Sequence, residues 1–333
     1  MLHVGLDFHQ NSSSLCIMNN CGQILKNIRV PGRWPAVVKA IAQLPAPVSV
    51  AFEASGACGM LYEKLCEVAH HVTVAHPGAL RLIYASRRKN DRIDAQKLAK
   101  LLYVDAIPAA HVPGAQVRQW RQLIELRRSL VKRQTALKNQ LHAMLRNLGI
   151  ASPRGLFTRK GRDWLLALQI DEASSLQRTI LLEQLHQVHL QLRQLQRDLD
   201  RRGDADPRVA LLQTVPGVGP RTAEAYLAYV DRVERFARVN RVSSYFGLVP
   251  CEDSSADRTR LGHITKQGPP TVRQLLCEAA WTAIAKDQGL KERFDRICNG
   301  DQDRRKIAIV AIANHLSRSM AAMLKTGETW RTK

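Results

Sequence analysis

Residues 3–8 read HVGLDF, an apolar run in which the one side chain charged at neutral pH is Asp7. Such a run is typical of a β-strand, and residues 14–18 and 23–30 are expected to be further strands that flank a polar turn at residues 19–22. A carboxylate within an apolar strand is costly to desolvate unless it binds something. Asp7 is therefore the first candidate for a functional side chain.

Helices and strands alternate in the next part of the chain. Residues 34–43 and 59–69 are expected to be helices, whereas residues 48–52 and 71–74 are expected to be strands, the first of which ends at Glu53. A strand meander followed by alternating helices and strands predicts a mixed sheet with helices on its faces. The N-terminal region is therefore expected to be an α/β domain.

Leucine spacing predicts a helical arm after this domain. One helix carries apolar residues every seven positions: Leu123, Leu130, Leu137 and Met144. A second helix carries apolar residues spaced alternately by four and three: Leu181, Leu185, Val188, Leu192, Leu195 and Leu199. Both repeats are typical of a coiled-coil seam, which fits either an antiparallel helix pair or an oligomerisation arm.

Three parts are therefore expected, which agrees with a length of 333 residues, more than one small core accommodates. Residues 1–112 are assigned to the α/β domain, residues 113–203 to the helical coiled-coil arm, and residues 204–333 to a mostly helical C-terminal domain. The expected fold class is α/β plus α.

The charge balance indicates a polyanionic partner. Fifty Lys and Arg residues against 29 Asp and Glu give a net charge of +21, which attracts nucleic acid over long range. The seven cysteines are scattered and include no C-x-x-C pair, which argues against a zinc ribbon or a disulfide framework and favours a reducing cytoplasm. The apolar run 307–313 is far shorter than a membrane span, so no membrane partner is expected.

Two further aspartates stand three residues apart in KNDRIDAQKLA, residues 89–99. The spacing places Asp91 and Asp94 on one face of a helix near its first turn, where either one alone fits a routine cap. Together with Asp7 and Glu53 they form a set of hard oxygen ligands, which suits magnesium or manganese and a metal pair about 4 Å apart for phosphodiester displacement. Phosphate contacts beside the metals are expected from the preceding cations: Arg87, Arg88 and Lys89.

Residues 212–223, LQTVPGVGPRTA, are expected to form two helices joined by a tight hairpin, and they resemble the helix-hairpin-helix element. Gly217 and Gly219 would let backbone N–H groups approach a phosphate at a helix N-terminus without reading the base sequence. The alternative is an ordinary turn between two helices, and the basic surroundings favour phosphate binding.

A polar loop, CEDSSADR at residues 251–258, follows the apolar GLVP of residues 247–250. A loop serine is usually only a loop residue. Here, however, nearby cations would hold a scissile phosphate and lower the cost of activating a hydroxyl. These cations are Arg258, Arg260, His263 and Lys266.

These motifs together give the chain a family resemblance. The matching pieces are GLD at residues 5–7, FEASG at 52–56, the aspartate pair and Ala95 within 89–95, PGVG at 216–219, and the segment from GLVP at 247–250 to KQG at 266–268. In this order they resemble the insertion-sequence transposases that have an N-terminal RuvC-like domain of the RNase H fold and a C-terminal transposase domain, the bridge-RNA-guided recombinases.

The resemblance implies roles for individual residues. In that family four acids form the metal site, which implies Asp7, Glu53, Asp91 and Asp94 here, and a serine of the C-terminal domain becomes joined to DNA. Ser255 matches that serine best, with Ser254 beside it as the rival, because Ala256 stands where the family often has glycine. The resemblance also implies a dimer or tetramer and a structured guide RNA that pairs with donor and target DNA.

Two other classes of protein remain open at the level of sequence. A hydrolytic nuclease of the Holliday-junction-resolvase kind would need only the four acids, and a non-catalytic nucleic-acid-binding protein would need none of them. The presence of all four acids weighs against the second class, and the serine-bearing C-terminal domain weighs against the first. The formation of a protein–DNA adduct would distinguish them.

Overall fold

The computed structural model describes residues 1–45, 47–56, 58–83, 90–253 and 260–331. The chain divides into two compact units, residues 1–118 and residues 119–333. The first unit is a mixed α/β structure and the second is mostly helical, as the sequence predicts.

A five-stranded mixed sheet forms the centre of the first unit. Its strands are β1 (Leu2–Asp7), β2 (Ser12–Met18), β3 (Ile24–Pro31), β4 (Val48–Glu53) and β5 (His71–Ala75). They lie in the order β3-β2-β1-β4-β5, in which β1, β2 and β3 are antiparallel neighbours and β1, β4 and β5 are parallel neighbours. This arrangement is consistent with an RNase H-like fold.

Helices accompany the sheet as the alternating pattern predicts. They are α1 (Trp34–Ala42), α2 (Cys58–Cys66), α3 (Pro77–Ile83) and α4 (Asp91–Tyr103). The core between sheet and helices is apolar and includes Leu6 and Phe52 from the strands and Leu61 and Leu65 from α2. The side chain of Asn90 caps α4 by accepting a hydrogen bond from the Arg92 backbone N–H.

Two helices of 33 residues dominate the first part of the second unit, although the first of them begins just before the unit boundary. They are α5 (Ala115–Asn147) and α7 (Glu172–Asp204), with the shorter α6 (Arg159–Ala167) between them in the chain. The predicted apolar seam of α7 is buried at Leu181, Leu185 and Val188, which pack in one cluster with Leu137 and Leu141 of α5. These residues of the α7 repeat are therefore buried against α5 of the same chain.

The remaining elements complete the second unit. They are α8 (Pro207–Gln213), α9 (Pro220–Val230), a 3-10 turn (Val233–Arg235), α10 (Asn240–Tyr245), β6 (Pro250–Glu252), β7 (Leu261–Ile264), α11 (Pro270–Lys286), α12 (Gln288–Cys298) and α13 (Arg305–Thr326). Helix α13 is longer than its most apolar run suggests, and by length and composition alone it could cross a membrane. Its buried residues, including Ile312, Leu316 and Met320, belong to the core of this unit, as expected of the central helix of a globular domain.

Candidate metal centre

The carboxyl ends of β1 and β4 meet at one edge of the sheet. The two strands are parallel, and Leu6 pairs with Phe52, so Asp7 and Glu53 follow at neighbouring strand ends. The carboxyl edge of parallel strands is where open α/β sheets commonly bind ligands. The fold thus places two of the predicted acids where a site is expected.

Helix α4 brings a third acid to the same edge. Gly5 of β1 lies against the backbone of Ala95 and Ala99, so closely that a β-carbon at residue 5 would overlap both. Asp91 lies one helical turn before Ala95 on α4, and Asp7 lies two residues after Gly5 on β1. The contact between Gly5 and Ala95 therefore brings the two aspartates together. The close packing of α4 on β1 therefore sets the separation of the two aspartates.

His9 completes a cluster with these two aspartates. Its Nε2 atom lies 3.3 Å from Asp7 Oδ2 and 3.9 Å from Asp91 Oδ1. One ligand atom from each of Asp7, His9 and Asp91 lies within 4.8 Å of the others. Carboxylate oxygens and an imidazole nitrogen at these separations form a donor set that fits a divalent metal ion.

The electrostatics of Asp7 support the same conclusion. Burial raises the pKa of Asp7 above its ordinary value, His9 lowers it by charge and by a hydrogen bond, and the charges of Asp91 and Asp94 raise it. Burial and like charge both disfavour the ionised form, and a bound cation would offset both effects. The residues present therefore fit a divalent ion.

The other two predicted acids stand slightly apart from this cluster. Asp94 accepts a hydrogen bond from Lys97, with Nζ 3.0 Å from Oδ1, while its charge still acts on Asp7. Glu53 is exposed at the end of β4. Among the described residues, the group of close ligand atoms contains Asp7, His9 and Asp91, and Glu53 and Asp94 lie outside it. The three predicted cations before α4, residues 87–89, lie outside the described residues.

The second unit presents a β-hairpin at the predicted serine loop. Strands β6 and β7 are antiparallel, and the Asp253 backbone N–H donates to the Arg260 carbonyl oxygen at 2.9 Å, so the two ends of the intervening segment lie side by side. Ser254, Ser255 and Arg258 lie outside the described residues. Arg260 and Lys266 are exposed, the first beside β7 and the second just after it.

The base of this hairpin is held by side chains from two helices. Arg273 of α11 donates from Nη1 to the carbonyl oxygens of Phe246 at 2.8 Å and Gln267 at 3.0 Å. Asn314 of α13 donates from Nδ2 to the carbonyl oxygen of Leu248 at 3.1 Å. The segments entering and leaving the hairpin are thus fixed to the helical core.

Helices α8 and α9 flank the hairpin that was predicted to belong to a helix-hairpin-helix element at residues 212–223, and the two glycines of this hairpin differ. Gly217 packs against the backbone of Ala279 and Ala283 in α11, where a β-carbon would not fit, so its small size serves helix packing. Gly219 is the N-terminal cap residue of α9, and no atom of the described residues lies within 4 Å of the position that its β-carbon would take. Of the two glycines, Gly219 is the one accessible to a phosphate.

Comparisons with known proteins cover both units. Residues 4–150 match the model of the DEDD domain of IS110 transposases, described as "Transposase", and residues 209–295 match the model described as "Transposase IS116/IS110/IS902 family". The chain belongs to the IS110/IS116 family of transposases. Together the two matches span both the acidic cluster and the β6–β7 hairpin.

Named relatives agree with the family. A probable family 20 transposase of Pseudomonas aeruginosa is 27% identical over 301 residues, with 87% of each chain covered. The transposase for insertion sequence element IS1111A of Coxiella burnetii is 26% identical, with 98% of this chain and 91% of the relative covered. The transposase for IS1328 of Yersinia enterocolitica is 25% identical, with 95% and 94% covered.

Two features of this IS110/IS116-family transposase were not predicted from the sequence. His9 stands two residues after the strand-terminal Asp7, and this Asp-x-His spacing at a strand end was the available signal. Arg273 looks in sequence like an ordinary solvent-facing arginine near the start of a helix, and only the fold shows the two carbonyl groups that it binds.

Proposed function

We propose that this transposase of an insertion sequence cuts and rejoins DNA by divalent-metal-dependent transesterification, with Ser255 as the nucleophile and a structured RNA as the guide. The observation that carries the proposal is the convergence of Asp7 and Asp91 at one sheet edge, within a DEDD domain that is followed by a second transposase domain. The alternative is a hydrolytic nuclease that uses the acids alone.

Four carboxylates supply the oxygen ligands in this proposal. Asp7 and Asp91 already face each other, and rotation of the Asp94 side chain away from Lys97 would bring a third carboxylate from the same face of α4. Glu53, at the end of the strand beside β1, supplies the fourth. When bound, magnesium or manganese supplies positive charge that stabilises the charge developing on the phosphate.

The proposed chemistry at Ser255 conserves the phosphodiester. The Ser255 oxygen forms a bond to phosphorus as its hydroxyl proton departs, and the bond from phosphorus to the leaving deoxyribose oxygen breaks as that oxygen gains a proton. Reversal by a different deoxyribose hydroxyl releases the serine and joins the new strand. No external energy source is needed, because one ester is exchanged for another at each step.

Positive charge supports the partners proposed here. The net charge of +21 suits DNA and RNA, and Arg260, Lys266 and the open N-terminus of α9 at Gly219 are candidate phosphate contacts, as are Arg87, Arg88, Lys89 and Arg258. The guide RNA and the assembly into a dimer or tetramer rest on the family resemblance. Both are parts of the proposal.

The deciding experiment is a search for a covalent protein–DNA adduct. Full-length protein is purified from its host with its co-purifying RNA, incubated with Mg²⁺ and DNA carrying the element's junctions, and resolved under denaturing conditions. We expect an adduct with wild type, and its loss in Ser255→Ala with DNA and RNA binding retained, while Ser254→Ala serves as the matched control. Attachment at Ser254 would move the nucleophile by one residue, and cleavage without an adduct would establish the hydrolytic alternative.

A further inference from the structure

His9 is held next to the two facing aspartates by its own backbone. The His9 backbone N–H donates to the Ser13 hydroxyl oxygen at 3.3 Å, and that hydroxyl lies 3.4 Å from the His9 carbonyl oxygen, to which it donates. Ser13 is itself buried, with 1% of its surface exposed, so the turn between β1 and β2 is anchored in the sheet. The imidazole is therefore directed to the carboxyl edge of β1 by a fixed turn.

Two roles are compatible with an imidazole at this position. As a counter-ion, a protonated His9 would neutralise Asp7 and be displaced when a metal ion binds. As a ligand, a neutral His9 would offer the Nε2 lone pair to the same ion as the aspartates. The geometry fits the second role, because one ligand atom from each of Asp7, His9 and Asp91 lies within 4.8 Å of the others, close enough to surround one ion.

We propose that His9 Nε2 is a metal ligand that acts with Asp7 and Asp91, so that this centre is a mixed nitrogen–oxygen site. The inference rests on the proposed function, since it concerns the same metal centre. Mg²⁺ is a hard ion that is bound through oxygen ligands, whereas Mn²⁺, a transition-metal ion, accepts an imidazole nitrogen more readily. A nitrogen ligand therefore makes the centre favour Mn²⁺ over Mg²⁺ more strongly than carboxylates alone would.

The test uses Mn²⁺ alone with the full-length, metal-free protein. Electron spin-echo modulation of bound Mn²⁺ detects a coordinated nitrogen directly, without any measurement of activity. We expect nitrogen modulation in wild type and its loss in His9→Gln. Loss of an outer-shell partner of a metal ligand lowers metal affinity roughly 10-fold to 100-fold. Because His9→Gln removes the ligand itself, we expect its Mn²⁺ affinity to fall at least that much and its Mg²⁺ affinity to fall less.

Two further variants make the outcomes distinguishable. His71→Gln is the matched control, because His71 is exposed at the start of β5, at the opposite end of the parallel strands from Asp7, and we expect it to behave as wild type. Asp7→Asn tests whether Mn²⁺ binds at the proposed metal centre. If Mn²⁺ binding depends on Asp7 but shows no nitrogen modulation, or if His9→Gln keeps the modulation, His9 is not a ligand. If Mn²⁺ fails to bind, or binds equally well to Asp7→Asn, both the metal centre of the proposed function and this inference are refuted.

Discussion

Gly5 on β1 and Ala95 on α4 are in direct backbone contact, with no room for a β-carbon at residue 5. The contact holds α4 against β1, and the packing continues beside it, where Ala95 and Ala99 are buried together with Cys16 and Met18 of β2. Asp91 begins the helix and Asp7 ends the strand, so both carboxylates emerge on the same side of the contact. The geometry of the metal centre thus depends on a glycine that bears no functional group.

We expect Gly5→Ala to lower both stability and metal affinity. The added methyl group meets backbone rather than a mobile side chain, and overpacking of this kind costs about 1–3 kcal/mol in the free energy of unfolding. Urea unfolding and Mn²⁺ titration of the purified variant measure the two effects. Gly114→Ala is the matched control, because Gly114 belongs to the same unit and a β-carbon there meets no atom of the described residues within 4 Å. Equal stability and Mn²⁺ affinity for Gly5→Ala and wild type would contradict the packing argument.

A second prediction concerns Asp94, which is paired with Lys97. If Asp94 is a metal ligand, Asp94→Ala abolishes strand cleavage while folding and DNA binding persist, because an oxygen ligand is lost. Lys97→Met should leave cleavage intact, because it removes a cation paired with that carboxylate and no oxygen ligand. Cleavage assays on the two variants, with circular dichroism as a check on folding, compare these roles. Near-normal cleavage by Asp94→Ala would assign the residue to the helix surface instead.

The strand-end acids could be predicted from sequence because their signal is local. An aspartate or glutamate near the end of an apolar run marks a strand terminus, and two aspartates three residues apart mark a helix face, so Asp7, Asp91 and Asp94 could be named as candidates from the sequence. The part played by His9 could not be predicted so directly, because a single histidine in a turn has no periodicity. The packing of Gly5 on Ala95 depends on which strand the helix covers, and that information is absent from local spacing.

Glu224 provides a prediction about pH. This carboxyl group is 1% exposed, and its two oxygens accept no hydrogen bond from the part of the chain that the structure describes. Burial raises its pKa to about 7 despite Arg221, whose Nη1 lies 3.0 Å away. The folded-state pKa lies above the unfolded value of 4.5. The protonated Glu224 carboxyl group therefore contributes fully to the free energy of unfolding below pH 4.5, and this contribution is lost as pH rises through 7. Glu224→Gln lacks this titration.

We therefore expect Glu224→Gln to gain stability relative to wild type as pH rises from 4.5 to 8, by on the order of 3 kcal/mol. Urea unfolding of both proteins at several pH values gives the difference. Glu278→Gln is the control, since Glu278 is exposed and hydrogen-bonded to Gln274. A difference between wild type and Glu224→Gln that does not change with pH would show that the carboxyl group titrates normally.

Salt dependence tests the polyanion argument. Neutralisation of Z phosphates gives a slope of about −0.9Z in a plot of log affinity against log salt concentration, so about five contacts give a slope of about −4.5 on duplex DNA. Arg193 and Arg197 are exposed on α7, and their joint replacement by Gln should make the slope shallower by up to about 1.8. Gln194→Ala with Gln196→Ala, on the same helix, leaves the charge unchanged and serves as the control. Fluorescence anisotropy at several salt concentrations measures each slope, and a wild-type slope near zero would refute the argument.

The last prediction concerns Arg273, which joins the two segments at the base of the β6–β7 hairpin through the carbonyl groups of Phe246 and Gln267. Arg273→Met keeps much of the side-chain volume but removes both hydrogen bonds, so the hairpin should loosen while the helical core stays folded. We expect faster hydrogen exchange at Thr265, whose N–H donates to Val249 across the hairpin at 2.9 Å, and strand cleavage about 10-fold to 100-fold slower. Arg273→Lys keeps a donor, so its increase in hydrogen exchange and its loss of cleavage should both be smaller. Gln274→Met, one residue along α11, should show neither change. Faster exchange with unchanged cleavage would mean that the chemistry does not depend on the hairpin, and unchanged exchange would mean that Arg273 does not hold it.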